Sequence, residues 1–156
     1  MTTRRRFLLV AGGVLASAAA RAQLPADIEA RRRAALAAAV RKVTGGAQVH
    51  EGRVTLDVPP LIDNGNTVPV SVEVHSPMTD ADHVDAIHLF TEKNPQPYVI
   101  TARLGPRAGR ARISTRARIA DTGTVLAIAR MSDGTFWSAS VGVVVTLSAC
   151  LEDGLI

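Results

Sequence analysis

Cysteine is almost missing from this chain of 156 residues: the one copy is Cys150, six residues from the C-terminus. A lone thiol excludes an intrachain disulfide. It leaves three roles, an inert buried group, a bond to another chain, or a reactive nucleophile. Aromatic residues make up only 3% of the sequence, one Trp, one Tyr and three Phe, so there is no platform on which nucleic-acid bases could stack. Acidic residues are absent from the first 22 positions. No apolar run reaches the ~20 residues that a membrane-spanning helix needs.

What is present begins with Thr3-Arg4-Arg5-Arg6-Phe7-Leu8, which matches a twin-arginine export signal. An apolar stretch over residues 7–20 follows, loosened by Gly12-Gly13, and Ala20-Arg21-Ala22 supplies a small-x-small cleavage site. The expectation is a signal peptide over residues 1–22, a mature chain starting at Gln23, and a periplasmic location. The charge balance changes with it. Four of the 18 basic residues (Arg4, Arg5, Arg6 and Arg21) lie in the signal, leaving 14 against 14 acidic ones. The basic character belongs to the export segment, and a general nucleic-acid footprint goes with it.

From residue 27 to 43 the chain is rich in Ala and Arg and lacks Pro and Gly, with Leu36, Ala39, Val40 and Val43 at helical spacing and Gly45-Gly46 as a stop. One N-terminal helix is expected within residues 23–46, its Arg31-Arg32-Arg33 run forming a solvated face. Beyond it the pattern alternates. Val54, Leu56 and Val58 oppose Arg53, Thr55 and Asp57, and Val68, Val70, Val72 and Val74 oppose Pro69, Ser71, Glu73 and His75. Further strands are expected near 84–92, 98–104, 110–119, 124–131 and 135–148, with Ser132-Asp133-Gly134 as a hairpin turn. About seven strands separated by Asn, Gly and Pro turns predict a mainly β fold. It would be an immunoglobulin-like antiparallel β-sandwich over residues 47–149, preceded by the helix and followed by a short tail, 150–156.

The last strand places Trp137, Ala139, Val141, Val143, Val145, Leu147 and Ala149 on one face. Cys150 has the parity of the opposite, more polar face, which argues for a thiol near the surface. Gly142-Val143-Val144-Val145 is apolar on both faces, as for a strand covered on both sides, one cover being another subunit. Arg110, Arg112, Arg116 and Arg118 share a strand face, either a basic stripe for an acidic partner or a solvated strand whose charges protect an edge. Asp80, Asp82, His83, Asp85 and His88 fit a solvated loop better than a metal site. His83 and His88 are five apart, on opposite faces of an extended strand. Four histidines (His50, His75, His83, His88) and one cysteine are also the inventory of the iron centre of superoxide reductases, which keep a histidine two or three residues from the cysteine. Here the nearest is His88, and the spacing does not fit.

Five segments carry a resemblance: Asn64-Gly65-Asn66-Thr67-Val68-Pro69-Val70; Ser76-Pro77-Met78-Thr79 followed by Asp82-His83-Val84; Glu92-Lys93-Asn94-Pro95-Gln96-Pro97; Ala120-Asp121-Thr122; and Met131-Ser132-Asp133-Gly134-Thr135-Phe136-Trp137. In this order, after a twin-arginine signal, they resemble the SoxY family of sulfur-oxidation carriers. The resemblance implies a periplasmic carrier rather than an enzyme, without cofactor or metal. It also implies a heterodimer with a SoxZ-type subunit and transient contacts with periplasmic sulfur-oxidising enzymes. Cys150 matches the family's covalent sulfur-attachment cysteine, on which thiosulfate-derived sulfur is held. The family's terminal Gly-Gly-Cys-Gly-Gly is replaced by Ser148-Ala149-Cys150-Leu151-Glu152, exchanging backbone freedom for bulk and charge. Two roles therefore stay open, a carrier using Cys150 or an interaction subunit that keeps the partner surface without carrying sulfur.

Overall fold

The computed structural model describes residues 26–147, which the element order α1, β1 to β9 spans. Helix α1 covers Ala26–Thr44. Alanine, the best helix former, fills much of it. Asp27 and Glu29 lie in its first turn and Arg41 and Lys42 in its last, each matched to the helix dipole. It stops where Gly45 turns left-handed (φ +64°) and returns its N–H to the Arg41 carbonyl at 2.9 Å. Leu36, Ala39, Val40 and Val43 pack on Phe90, Ile128 and Phe136, the face expected from their spacing. Arg32 departs from the expected solvated run. It is only 8% exposed, because it sits one turn before Leu36 on the same stripe and its aliphatic stem goes under with the apolar residues.

The strands are β1 Val49–Glu51, β2 Val54–Asp57, β3 Leu61–Asn64, β4 Val68–Val74, β5 Val84–Thr91, β6 Tyr98–Arg103, β7 Arg112–Ala117, β8 Gly123–Met131 and β9 Phe136–Leu147. They form an immunoglobulin-like sandwich. One sheet runs β1-β9-β8-β5-β6 with β3 also on β9, and the other runs β2-β4-β7. The alternating valines of β4 lie between 0% and 3% exposed, against Ile87, Leu89, Val125, Ala127, Val143 and Val145 of the larger sheet. Helix α1 covers the other face of that sheet. This explains why Phe90 and Ile128 are buried although their strand neighbours Leu89 and Ala127 already fill the inner core.

Seven of the strands fall where alternation puts them. The additions are β1 and β3, both parallel to β9. Val49 to Glu51 align with Phe136 to Ser138, and Leu61 to Asn64 with Val144 to Leu147. The chain leaves the edge of β9 after β1, crosses to the second sheet as β2, and returns as β3 to occupy the rest of the same edge. Segments of three and four residues are too short to show a period, and a parallel partner far away in sequence leaves no local turn signal.

Candidate functional site

The described chain ends at Leu147, so Cys150 lies outside the described residues. What the structure does define is the platform from which the cysteine-bearing segment departs. The last turn of β9 is fastened on three sides. Val145 N–H donates to Thr122 Oγ1 at 3.0 Å, Thr146 Oγ1 donates to the Asp63 carbonyl at 3.3 Å, and Leu147 is in register with Asn64. Thr122 is itself set by its N–H donating to Asp121 Oδ1 at 2.7 Å.

Behind that layer a second set of bonds holds the loops together. Asn94 uses both ends of its amide: Nδ2 donates to the Arg118 carbonyl and Oδ1 accepts the Ala120 N–H, each at 2.8 Å. Ile119 N–H donates to the Gly65 carbonyl at 2.8 Å. A Cβ on Gly65 would stand 2.1 Å from the Ile119 carbonyl oxygen, so glycine is required there by contact rather than by backbone angle. Asn64 Oδ1 accepts the Asn66 N–H at 2.9 Å and closes the turn. Three of the segments singled out in the sequence (64–66, 92–97 and 120–122) thus converge on the end of β9.

The other two form the opposite end of the sandwich. Asp133 Oδ1 accepts the Thr135 N–H and hydroxyl at 2.8 and 2.7 Å, and these bonds hold its carboxyl below the usual range. Gly134, at φ +83°, completes the expected hairpin turn. Ser132 exchanges bonds with His83, N–H to carbonyl at 2.8 Å and His83 N–H to Oγ at 3.1 Å. Trp137 lies against His50, ring centres 5.2 Å apart, with the Arg53 guanidinium 5.0 Å from the Trp137 ring.

The remaining candidates separate. His50 belongs to β1, His75 follows β4, His83 contacts the Thr79 carbonyl (Nδ1, 3.0 Å) and Asp85 (Nε2, 3.3 Å), and His88 lies in β5 beside Thr101. Among the described residues no group of three or more His, Cys, Asp or Glu comes together at metal-holding distance. Of the basic stripe only Arg112 and Arg116 lie on the outer face of β7, an edge strand; Arg110 and Arg118 flank it outside the strand. Arg112 stands opposite Glu73, and Ser114 Oγ is 2.9 Å from Ser71 Oγ.

Sequence reasoning missed Leu61. It lies in register with Val144 on the outer face of the sheet, and the two are 60% and 52% exposed. Val143 and Val145 are buried as expected, whereas the second face of β9, covered by α1 at Phe136, is left uncovered at Val144 within the described residues. The half of the signal carried by Val144 was legible; its neighbour depends on the unseen parallel pairing.

Solved structures share this architecture. The sulfur carrier protein SoxY from Chlorobium limicola f thiosulfatophilum aligns with TM-score 0.63 at 24% identity, covering 75% of this chain and 96% of that one. A superoxide reductase (neelaredoxin) from Ignicoccus hospitalis aligns at 0.55 with 15% identity over 62% and 94%. One from Nanoarchaeum equitans aligns at 0.52 with 11% identity over 62% and 100%. At these identities the likenesses establish the fold alone. A search of curated proteins found no match. Residues 39–150 match the family model described as "Sulfur oxidation protein SoxY", a span that takes in all five segments, the platform they build and the sole cysteine. The chain belongs to the SoxY family of sulfur oxidation proteins.

Proposed function

We propose that the chain is the sulfur-carrier subunit of a periplasmic thiosulfate-oxidising system, holding sulfur intermediates covalently on Cys150 while separate enzymes act on them. The observation that carries this reading is that the family match ends on Cys150, the only thiol in the sequence. In loading, the outer sulfur of thiosulfate forms an S–S bond to the Cys150 sulfur. The thiol proton leaves, and two electrons pass to an acceptor on the loading enzyme. The thiolate is the nucleophile, with an ordinary free pKa near ~8.5. Cys150 is three positions past Leu147, so covalent geometry keeps its Cα within about 11 Å of the fastened end of β9. A loading enzyme must therefore approach the platform itself.

Location in the periplasm rests on the twin-arginine segment and the Ala20-Arg21-Ala22 site. A SoxZ-type partner is supported by the exposed Leu61–Val144 pair, the two most exposed large apolar side chains among the described residues. The replacement of the flanking glycines by Ser148-Ala149 and Leu151-Glu152 favours a second reading, an interaction subunit that no longer carries sulfur. Intact-mass spectrometry separates the two. With thiosulfate and a loading enzyme, the wild type gains a thiosulfonate adduct that Cys150→Ser lacks. A wild type that binds its partner but never gains mass would be the interaction subunit.

A further inference from the structure

On the helix-covered face of the large sheet the register sets two arginines on either side of an alanine. Ala86 in β5 is the partner of Arg103 in β6 and of Arg130 in β8. Register partners share a face, and strands lie about 4.8 Å apart, so the two arginine Cα atoms flank Ala86 at roughly 10 Å separation. The small Ala86, 6% exposed, leaves a hollow between them. It opens into a cleft of about 450 Å³, walled by Val43 at the end of α1 and lined by His88 and Thr101 one row further on and, beside Arg130, by the Asp85 carboxylate.

Apart from the Asp85 carboxylate, the polar groups of this cleft can serve an acceptor. The Tyr98 hydroxyl donates to Thr101 Oγ1 at 2.6 Å, and His88 Nδ1 pairs with the same oxygen. His88 Nε2 makes no hydrogen bond within the described residues and is left for a ligand. Arg103 has no ion pair among the described residues. Arg130 has one long contact, Nε to Asp85 Oδ2 at 3.8 Å, and that carboxylate also faces His83. Burial and the charges of Arg103 and Arg130 together hold the His88 pKa below the ordinary imidazole value. The helix end does not fill the vacancy: the Arg41 and Thr44 carbonyls are taken up by Gly45 and Ala47 N–H groups.

We propose that this cleft binds a tetrahedral oxyanion of the sulfate or phosphate class, gripped between the guanidinium groups of Arg103 and Arg130, with His88 Nε2–H as a third donor. Planar guanidinium forks match two oxygens of such an anion each. The site is remote from the C-terminal end of β9. Arg130 is in register with Phe136, and Leu147 lies at the other end of the same strand, about 36 Å away at 3.3 Å per residue. The proposal is thus independent of the carrier reading, and Cys150→Ser should leave the cleft unaffected.

The test is an NMR titration of the His88 ring in the full chain with sodium sulfate and, separately, sodium phosphate, against sodium chloride at matched ionic strength. Saturable shifts of the His88 signals are expected with the dianions in the millimolar range, with a rise in the His88 pKa. Arg103→Gln and Arg130→Gln should each weaken binding at least tenfold, and Arg103→Lys should recover only part of it. Both arginines are exposed, so these variants keep the fold, which the amide spectrum verifies. Equal shifts with chloride, or saturable binding undiminished in Arg103→Gln, would overturn the site.

Discussion

Single polar side chains, rather than the apolar core, fix the geometry that the carrier role needs. Asn94 spans two loops with one amide, and its Oδ1 satisfies the N–H of Ala120, which is fully buried. Asn94→Ala would orphan that N–H and remove a second bond, a loss of about 2–4 kcal/mol. Asn94→Asp keeps the acceptor and loses only the donor to Arg118, so it should fall between, and urea unfolding midpoints will rank the three. His88 gives a second residue-scale test, with a defined sign. Its folded pKa lies below the ordinary 6.5, because burial and two arginines disfavour the imidazolium. The unfolded chain therefore takes up the proton first as pH falls. The stability tied to neutral His88 is complete above about pH 6.5 and is lost progressively toward the lower folded pKa. His88→Gln, which cannot charge, should show a smaller loss than wild type between about pH 7.5 and 5.5 in thermal unfolding, in buffer free of sulfate and phosphate.

At the scale of elements the informative unit is the edge of β9. Its inner face reads directly from alternation: Val143 and Val145 are buried and Val144 is out. Its partners do not read at all, because β1 and β3 are short, parallel and far away in sequence. The helix was legible to within a residue or two from its Ala-rich composition and glycine stop. Arg32 was not, since charge identity outweighs position in a sequence pattern while the stripe register outweighs charge in the fold. The five turn segments were recognised as a set, yet their work became visible only when Asn94, Gly65 and Thr122 met at one end of the sandwich. An element-scale prediction follows from the outer face. Leu61→Glu alters an exposed position and should change the stability of the isolated chain by no more than about 0.5 kcal/mol. It should weaken association with a SoxZ-type subunit at least tenfold, measured by calorimetry. Unchanged affinity would move the partner surface elsewhere.

For the molecule as a whole, the two ends of the sandwich are chemically different. One end is a network of turns fastening the final strand before the cysteine, and the other carries the Trp137, His50 and Arg53 stack beside the Ser132–Thr135 turn. The arginine cleft escapes sequence reading altogether, because Arg103, Ala86 and Arg130 become neighbours only through the order β8-β5-β6. The shared edge of β9 has a temporal meaning as well. During synthesis Val49 and Leu61 emerge early, yet the strand both must join is made last. Until Phe136–Leu147 has left the ribosome the N-terminal strands have no ladder, and closing the sheet requires bringing together the ends of the domain, a slow, non-local step. The segment that leads into Cys150 is therefore also the segment whose docking completes the fold. On the carrier reading proposed above, the end of β9 becomes a platform for a loading enzyme only once the domain is finished.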